Sequence, residues 1–126
     1  MGADGGGIEV EFWVDPSGKS PIFDWFDELE RRGEKLLAKA LRLIELLETK
    51  GASLQAPYVK WNIYGPISEL RARYRHHTIR IYFGRAGNKA LVVVGELKKS
   101  SEPDPKLLDY ALQAYTAWTK EREGEE

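Results

Sequence analysis

The stretch that most constrains this fold runs from Gly65 to Lys99, GPISELRARYRHHTIRIYFGRAGNKALVVVGELKK. Glu69, Arg71, Arg73 and Arg75 alternate with Leu70, Ala72 and Tyr74, the period of a half-buried strand. Thr78, Arg80 and Tyr82 then alternate with Ile79, Ile81 and Phe83. A turn is expected over Arg85–Asn88, with Gly87-Asn88 at its corner. Ala90–Gly95 is a continuous apolar run of strand length that leads into Lys98-Lys99. The pattern predicts three consecutive antiparallel strands with one apolar face and one arginine-studded face. Charge sets the same stretch apart. Residues 60–99 hold nine Lys/Arg and two acids, in a chain of 126 residues whose net charge is −1. The segments on either side are acidic. A local basic patch between acidic flanks suggests an anionic partner for one face.

The length suggests one domain with a core of its own. There is no cysteine, so neither a disulfide framework nor a thiolate metal site is available, and a cytoplasmic location fits. No apolar run approaches a membrane span, and no basic segment followed by an apolar one opens the chain, so neither a membrane segment nor a signal peptide is expected.

Residues 1–7, MGADGGG, are expected to form a disordered tail. Ile8–Val14 sets Ile8, Val10, Phe12 and Val14 against Glu9, Glu11 and Trp13, a strand with one apolar face. After a turn at Asp15–Gly18, Ser20-Pro21 has the form of an N-cap followed by proline at the first helical position. Ile22, Phe23, Phe26 and Leu29 recur at helical spacing up to Gly33. A second helix is expected over about Glu34–Thr49, with its apolar stripe at Leu36, Leu37, Ala40, Leu41, Ile44 and Leu47 and Gly51 just past its end. Ser53–Tyr64 is expected as a loop. Asp104 and Pro105 open a final helix through Leu107, Leu108, Ala111, Leu112, Tyr115 and Trp118, ending near Lys120. The predicted order is β-α-α-β-β-β-α in one α+β domain spanning residues 8–120, followed by an acidic tail at 121–126.

Taken together, SPIFDWFDEL, GPISELR, TIRIYF, LVVVGELKK and PDPKLLDYAL, in that order and spacing, resemble the RelE/ParE superfamily of toxin–antitoxin toxins. Within it, the chain is most similar to the phage-derived HigB-like branch. The resemblance covers roughly residues 8–118. It implies a small sheet flanked by an N-terminal helical hairpin and a C-terminal helix. It also implies a toxin neutralised by a cognate antitoxin, often a helix-turn-helix protein. Many such toxins are metal-free endoribonucleases that cut translated messenger RNA at the ribosome; the ParE branch instead poisons DNA gyrase. A non-catalytic, phage-derived binding module of the same fold is a third reading. Carried over by position, the active basic residues fall on Arg71, Arg73 and Arg80, with Lys98 or Lys99 before the last helix. The chain departs from the pattern at Glu96, where the branch carries an apolar or aromatic residue, and it has no clear match to the C-terminal Tyr or His of the ribonucleases.

Arg71, Arg73, Arg80 and Lys99 are therefore the candidate catalytic set, a phosphate clamp of arginine forks. The competing reading is a solvated sheet face bridged to Glu69 and Glu96. Like charges side by side on a sheet are destabilising, which favours an anion between them. Lys60, Lys98, Tyr82, His76 and His77 are candidate RNA contacts. Tyr82 shares the alternation of Arg80, so it is the first choice for stacking on a base. Trp61 and Tyr64 lie near the basic strands, whereas Trp25 is expected in the core. Arginine stays protonated, so proton transfer is left to His76, His77, Tyr82 or a ribosomal group. Two adjacent histidines without cysteine make poor zinc-ligand geometry, so neither a metal nor a cofactor is expected.

Overall fold

Two short glycine turns and one helical hairpin determine how this chain closes on itself. A computed structural model describes residues 6–99 and 102–124. Most of the tail expected at 1–7 lies outside the described residues. The elements are β1 (Glu9–Phe12), α1 (Pro21–Arg32), α2 (Glu34–Lys50), β2 (Val59–Tyr64), β3 (Ile67–Tyr74), β4 (His77–Ala86), β5 (Lys89–Lys98) and α3 (Pro105–Gly124), with one 3-10 turn at Gly51–Ser53. The fold is α+β, as the periodicities predict.

The sheet order is β1-β5-β4-β3-β2. The hairpin α1–α2 carries the chain from one sheet edge to the other. Strands β2 to β5 then meander back, each antiparallel to the last, until β5 meets β1 in parallel. Two-residue loops make all three reversals, at residues 65–66, 75–76 and 87–88. Gly65 stands at φ 58° and Gly87 at φ 63°, backbone conformations that a side chain disfavours. Ser20 caps α1: its hydroxyl accepts from the Phe23 N–H at 3.5 Å and donates to the Trp13 carbonyl at 2.6 Å. Pro21 follows at the first helical position.

Helices cover both faces of the sheet. On one face α1 and α2 bury Ile22, Trp25, Leu29, Ala40, Ile44 and Leu47 against Leu70, Ile79, Ile81, Phe83 and Val92. On the other, α3 buries Ala111, Ala114 and Trp118 against Ile67, Tyr82, Leu91, Val93 and Val94. The expected division into one apolar and one arginine face is thus corrected for the part of the sheet beneath α3. It also explains why Ala90–Gly95 is apolar throughout, since a strand buried on both sides has no polar register. A bulge at Tyr82/Phe83 adds one residue to β5, which turns both Val93 and Val94 towards α3.

The segment expected as a loop at 53–64 contains the edge strand β2. Val59 and Trp61 pack towards the helical hairpin, but Asn62 adopts φ 52° and its N–H bonds the Ser68 hydroxyl at 2.8 Å. This irregularity turns Ile63 to the α3 side, so the strand changes face midway and its alternation is broken. The final helix also runs further than the expected Lys120, to Gly124. Arg122 holds the extra turn, with its guanidinium 5.0 Å from the Trp118 ring centre and 3.8 Å from the Glu11 carboxylate. Of the tail expected at 121–126, residues 125–126 lie outside the described residues.

Candidate functional site

Strand register brings the sequence-predicted cations together as a grid. Lys60 of β2, Glu69 of β3 and Tyr82 of β4 form one transverse row. Arg71, Arg80 and Glu96 form the next. Arg73, Thr78 and Lys98 form the third. Residues directly opposite on a sheet place their Cβ atoms about 5 Å apart, so each row is a set of touching neighbours. Helix α3 crosses the same face and covers Tyr82, but leaves Lys60 and Arg73 exposed.

The grid has a buried centre and open margins. Arg80 and Glu69 are each 1% exposed, and Arg80 Nη1 donates to Glu69 Oε2 at 2.6 Å. The second oxygen of the same carboxylate lies 3.9 Å from Arg71 Nε, so Glu69 is shared between two arginines. Glu96 plays the matching part on β5. Its Oε2 accepts from the Tyr82 hydroxyl at 2.5 Å and from the Asp104 N–H at 3.1 Å, and its Oε1 lies 3.4 Å from Lys98 Nζ. Asp104 in turn caps α3, accepting the Lys106 N–H on its side chain at 2.9 Å. Arg73 and Lys60 are exposed, and Arg71 and Lys98 are half-buried. Salt bridges to Glu69 and Glu96 therefore exist, as the competing reading expects, while a rim of four cations stays accessible.

Lys60, Ile63, Glu69, Arg80, Pro103 and Leu108 line a cleft of about 340 Å³ between the sheet and the start of α3, with the Arg80–Glu69 pair among its walls. A second cleft, of about 450 Å³, opens over the neighbouring sheet edge. Its charged lining is Lys39, Lys60, Arg71 and Arg73; Ala56, Pro57, Tyr58, Val59 and Ala72 supply the rest. Lys60 lines both clefts.

The other expected contacts are placed elsewhere. Tyr82 is fully buried beneath α3 and offers no face to a base, which corrects its expected stacking role. Burial first, and then its bond to Glu96, raises its pKa far above the ordinary tyrosine range, so the phenol keeps its proton. His76 lies in the β3–β4 turn. His77 pairs with Tyr74, which packs on the helical-hairpin side, so the sheet separates His77 from the cationic grid. Lys99 is exposed in the bend after β5, next to Lys98 at the rim of the grid. Trp25 is buried, as expected, and Trp61 packs on Phe83 with ring centres 5.6 Å apart. The Tyr64 hydroxyl donates to Asp109 of α3. No group of three or more His, Cys, Asp or Glu side chains is placed to hold a metal ion among the described residues.

Three features were missed from sequence. Spacing shows Glu69 and Glu96 only as counter-charges, because the burial that makes them organisers depends on contacts across the fold. Lys39 looks like any lysine on the polar face of a helix. Tyr58 lies in the segment expected as a loop, where the alternation of Val59 and Trp61 with Lys60 is the one available signal.

No curated protein matches the chain. The family described as phage derived protein Gp49-like (DUF891) matches residues 24–116, from the first turn of α1 to the middle of α3 and including the whole cationic grid. Since the match spans well over half of the sequence, the chain belongs to the phage-derived Gp49-like family.

Proposed function

We propose that this protein is the toxin of a toxin–antitoxin pair, of the HigB-like branch, and a metal-independent endoribonuclease acting on messenger RNA at the ribosome. The observation that carries the reading is the accessible rim of Lys60, Arg71, Arg73 and Lys98 around a buried Arg80–Glu69 pair. Membership of the phage-derived Gp49-like family, which is associated with RelE-type toxins, supports it. Metal-free RNA cleavage proceeds by attack of a 2′-hydroxyl on its own phosphate, and charge builds on the phosphoryl oxygens. Arg71 and Arg73 hold that phosphate with forked hydrogen bonds, and Lys98 and Lys99 add charge at the rim. Arg80 acts from beneath: it fixes Glu69, and Glu69 orients Arg71. Tyr82 keeps its proton and the histidines lie off the face, so the ribosome supplies the proton acceptor.

The test is expression of the chain in growing cells, followed by mapping of messenger RNA 5′ ends. Arg73→Ala is the informative variant, with Arg85→Ala as control, since Arg85 pairs with Ala90 on the opposite face. Arg73→Ala should lower cleavage by on the order of 100-fold with folding unchanged, while Arg85→Ala should cleave normally. Cleavage should require ribosomes. Growth arrest with intact RNA rejects the ribonuclease reading, and inhibited supercoiling in a gyrase assay then supports a ParE-like poison. One observation favours a non-catalytic binding module: both carboxylates on the face are already engaged by cations. That module would bind RNA but leave 5′ ends unchanged.

A further inference from the structure

The second cleft differs in kind from the first. It combines an apolar lining from Pro57, Val59 and Ala72 with cations on several sides, and no acid lines it. Its volume of about 450 Å³ lies within the range of small-ligand sites. Tyr58 is 46% exposed and its backbone is pinned. Its N–H bonds the Gln55 carbonyl at 3.1 Å, and its carbonyl accepts the Arg71 N–H at 2.9 Å. An exposed aromatic ring on a fixed backbone beside cations is the equipment for stacking an unpaired base. Lys60 belongs to both clefts, so a strand lying on the cationic face meets the second cleft without a break in positive charge.

We propose that the second cleft is a nucleotide subsite. An unpaired base stacks on Tyr58, and Lys39 and Lys60 face the phosphate beside it. Single-stranded RNA thus crosses the sheet edge next to the first cleft. The inference rests on the ribonuclease reading and extends it to a nucleotide flanking the scissile one. Strand β3 runs past the start of β2 here, so an extended peptide pairing with Ala72–Tyr74 is the rival occupant. The uniformly basic lining favours the polyanion.

The test uses the full chain and a fluorescein-labelled single-stranded decauridylate, read by fluorescence anisotropy across a salt series. Tyr58→Ala should weaken binding about tenfold, and Tyr58→Phe should restore it. Phe23→Ala, which removes an exposed ring from α1, should change nothing. Lys39→Ala should lower the slope of log affinity against log salt by about 0.7. If the parent binds the RNA and both Tyr58→Ala and Lys39→Ala bind it equally well, the subsite is overturned and the ribonuclease reading stands. If those two variants keep RNA binding but lose a co-expressed antitoxin, the cleft belongs to a protein and the subsite is again overturned. A parent chain that does not bind the oligonucleotide overturns the subsite, while the ribosome-dependent cleavage is decided separately by the 5′-end mapping.

Discussion

Glu69 holds Arg80 through one carboxylate oxygen and faces Arg71 with the other, while almost none of it meets water. Removing one member of a buried ion pair leaves the remaining charge poorly solvated, which usually costs more than the pair contributes. Glu69→Ala should therefore destabilise the fold by about 3 kcal/mol, read as a lower urea midpoint. Glu69→Gln keeps the shape and an acceptor and should cost less. Equal midpoints for parent and Glu69→Ala would show that the pair is not an organiser. The residue scale also shows where chemistry was legible. Alternation alone puts Arg71 and Arg73 on one face, because a strand places every second side chain on one face, whereas Lys98 is singled out only through the resemblance. The burial of Arg80 and Tyr82 was not legible, because alternation does not say which face a later helix will cover.

The elements dock through gaps left by glycine and through capped turns. A Cβ on Gly95 of β5 would stand 2.4 Å from ring atoms of Trp25, so α1 reaches the sheet only because that side chain is missing. Gly95→Ala should cost about 2 kcal/mol by overpacking. The cost should shrink in a Trp25→Leu background, a coupling that a double-mutant cycle in thermal unfolding measures. The β1–α1 turn makes a pH prediction. Asp15 Oδ1 accepts from the Ser17 hydroxyl at 2.6 Å and from the Ser17 and Lys19 N–H groups at 2.9 Å. These bonds, the Ser17 hydroxyl foremost, hold its pKa below the ordinary 3.8. A depressed folded value means the turn gains from Asp15 above the ordinary carboxylate pKa and loses that gain as pH falls through the lowered one. A carboxyl titration by NMR should find the Asp15 midpoint below those of exposed carboxylates, and Ser17→Ala should move it back up. A midpoint at the ordinary value would contradict the turn geometry.

At the scale of the whole molecule, the balance of 19 basic and 20 acidic residues conceals a division of labour. The acidic segments form much of α1, α2 and the end of α3, while the cations gather on one end of the sheet. Binding of single-stranded RNA through Lys60, Arg71, Arg73 and Lys98 should release counterions from about four contacts. The slope of log affinity against log salt should then be about −3. A slope near zero would place any RNA contact away from the grid.

Local sequence determined the three helices, the starts of α1 and α3, and four of the five strands. Those features depend on spacing, caps and glycine turns within a few residues. It also determined which cations share a strand face. Only the tertiary structure decided that β1 joins β5 in parallel, that Val59–Tyr64 is a strand, and that α3 buries Tyr82. Each of these depends on contacts between residues far apart in the chain. A bulge such as that at Asn62 erases the local period while leaving the sheet intact. The second cleft belongs to the same class. Lys39, Tyr58, Lys60 and Arg73 come from a helix, a loop and two strands, and nothing in their spacing indicates that they line one space.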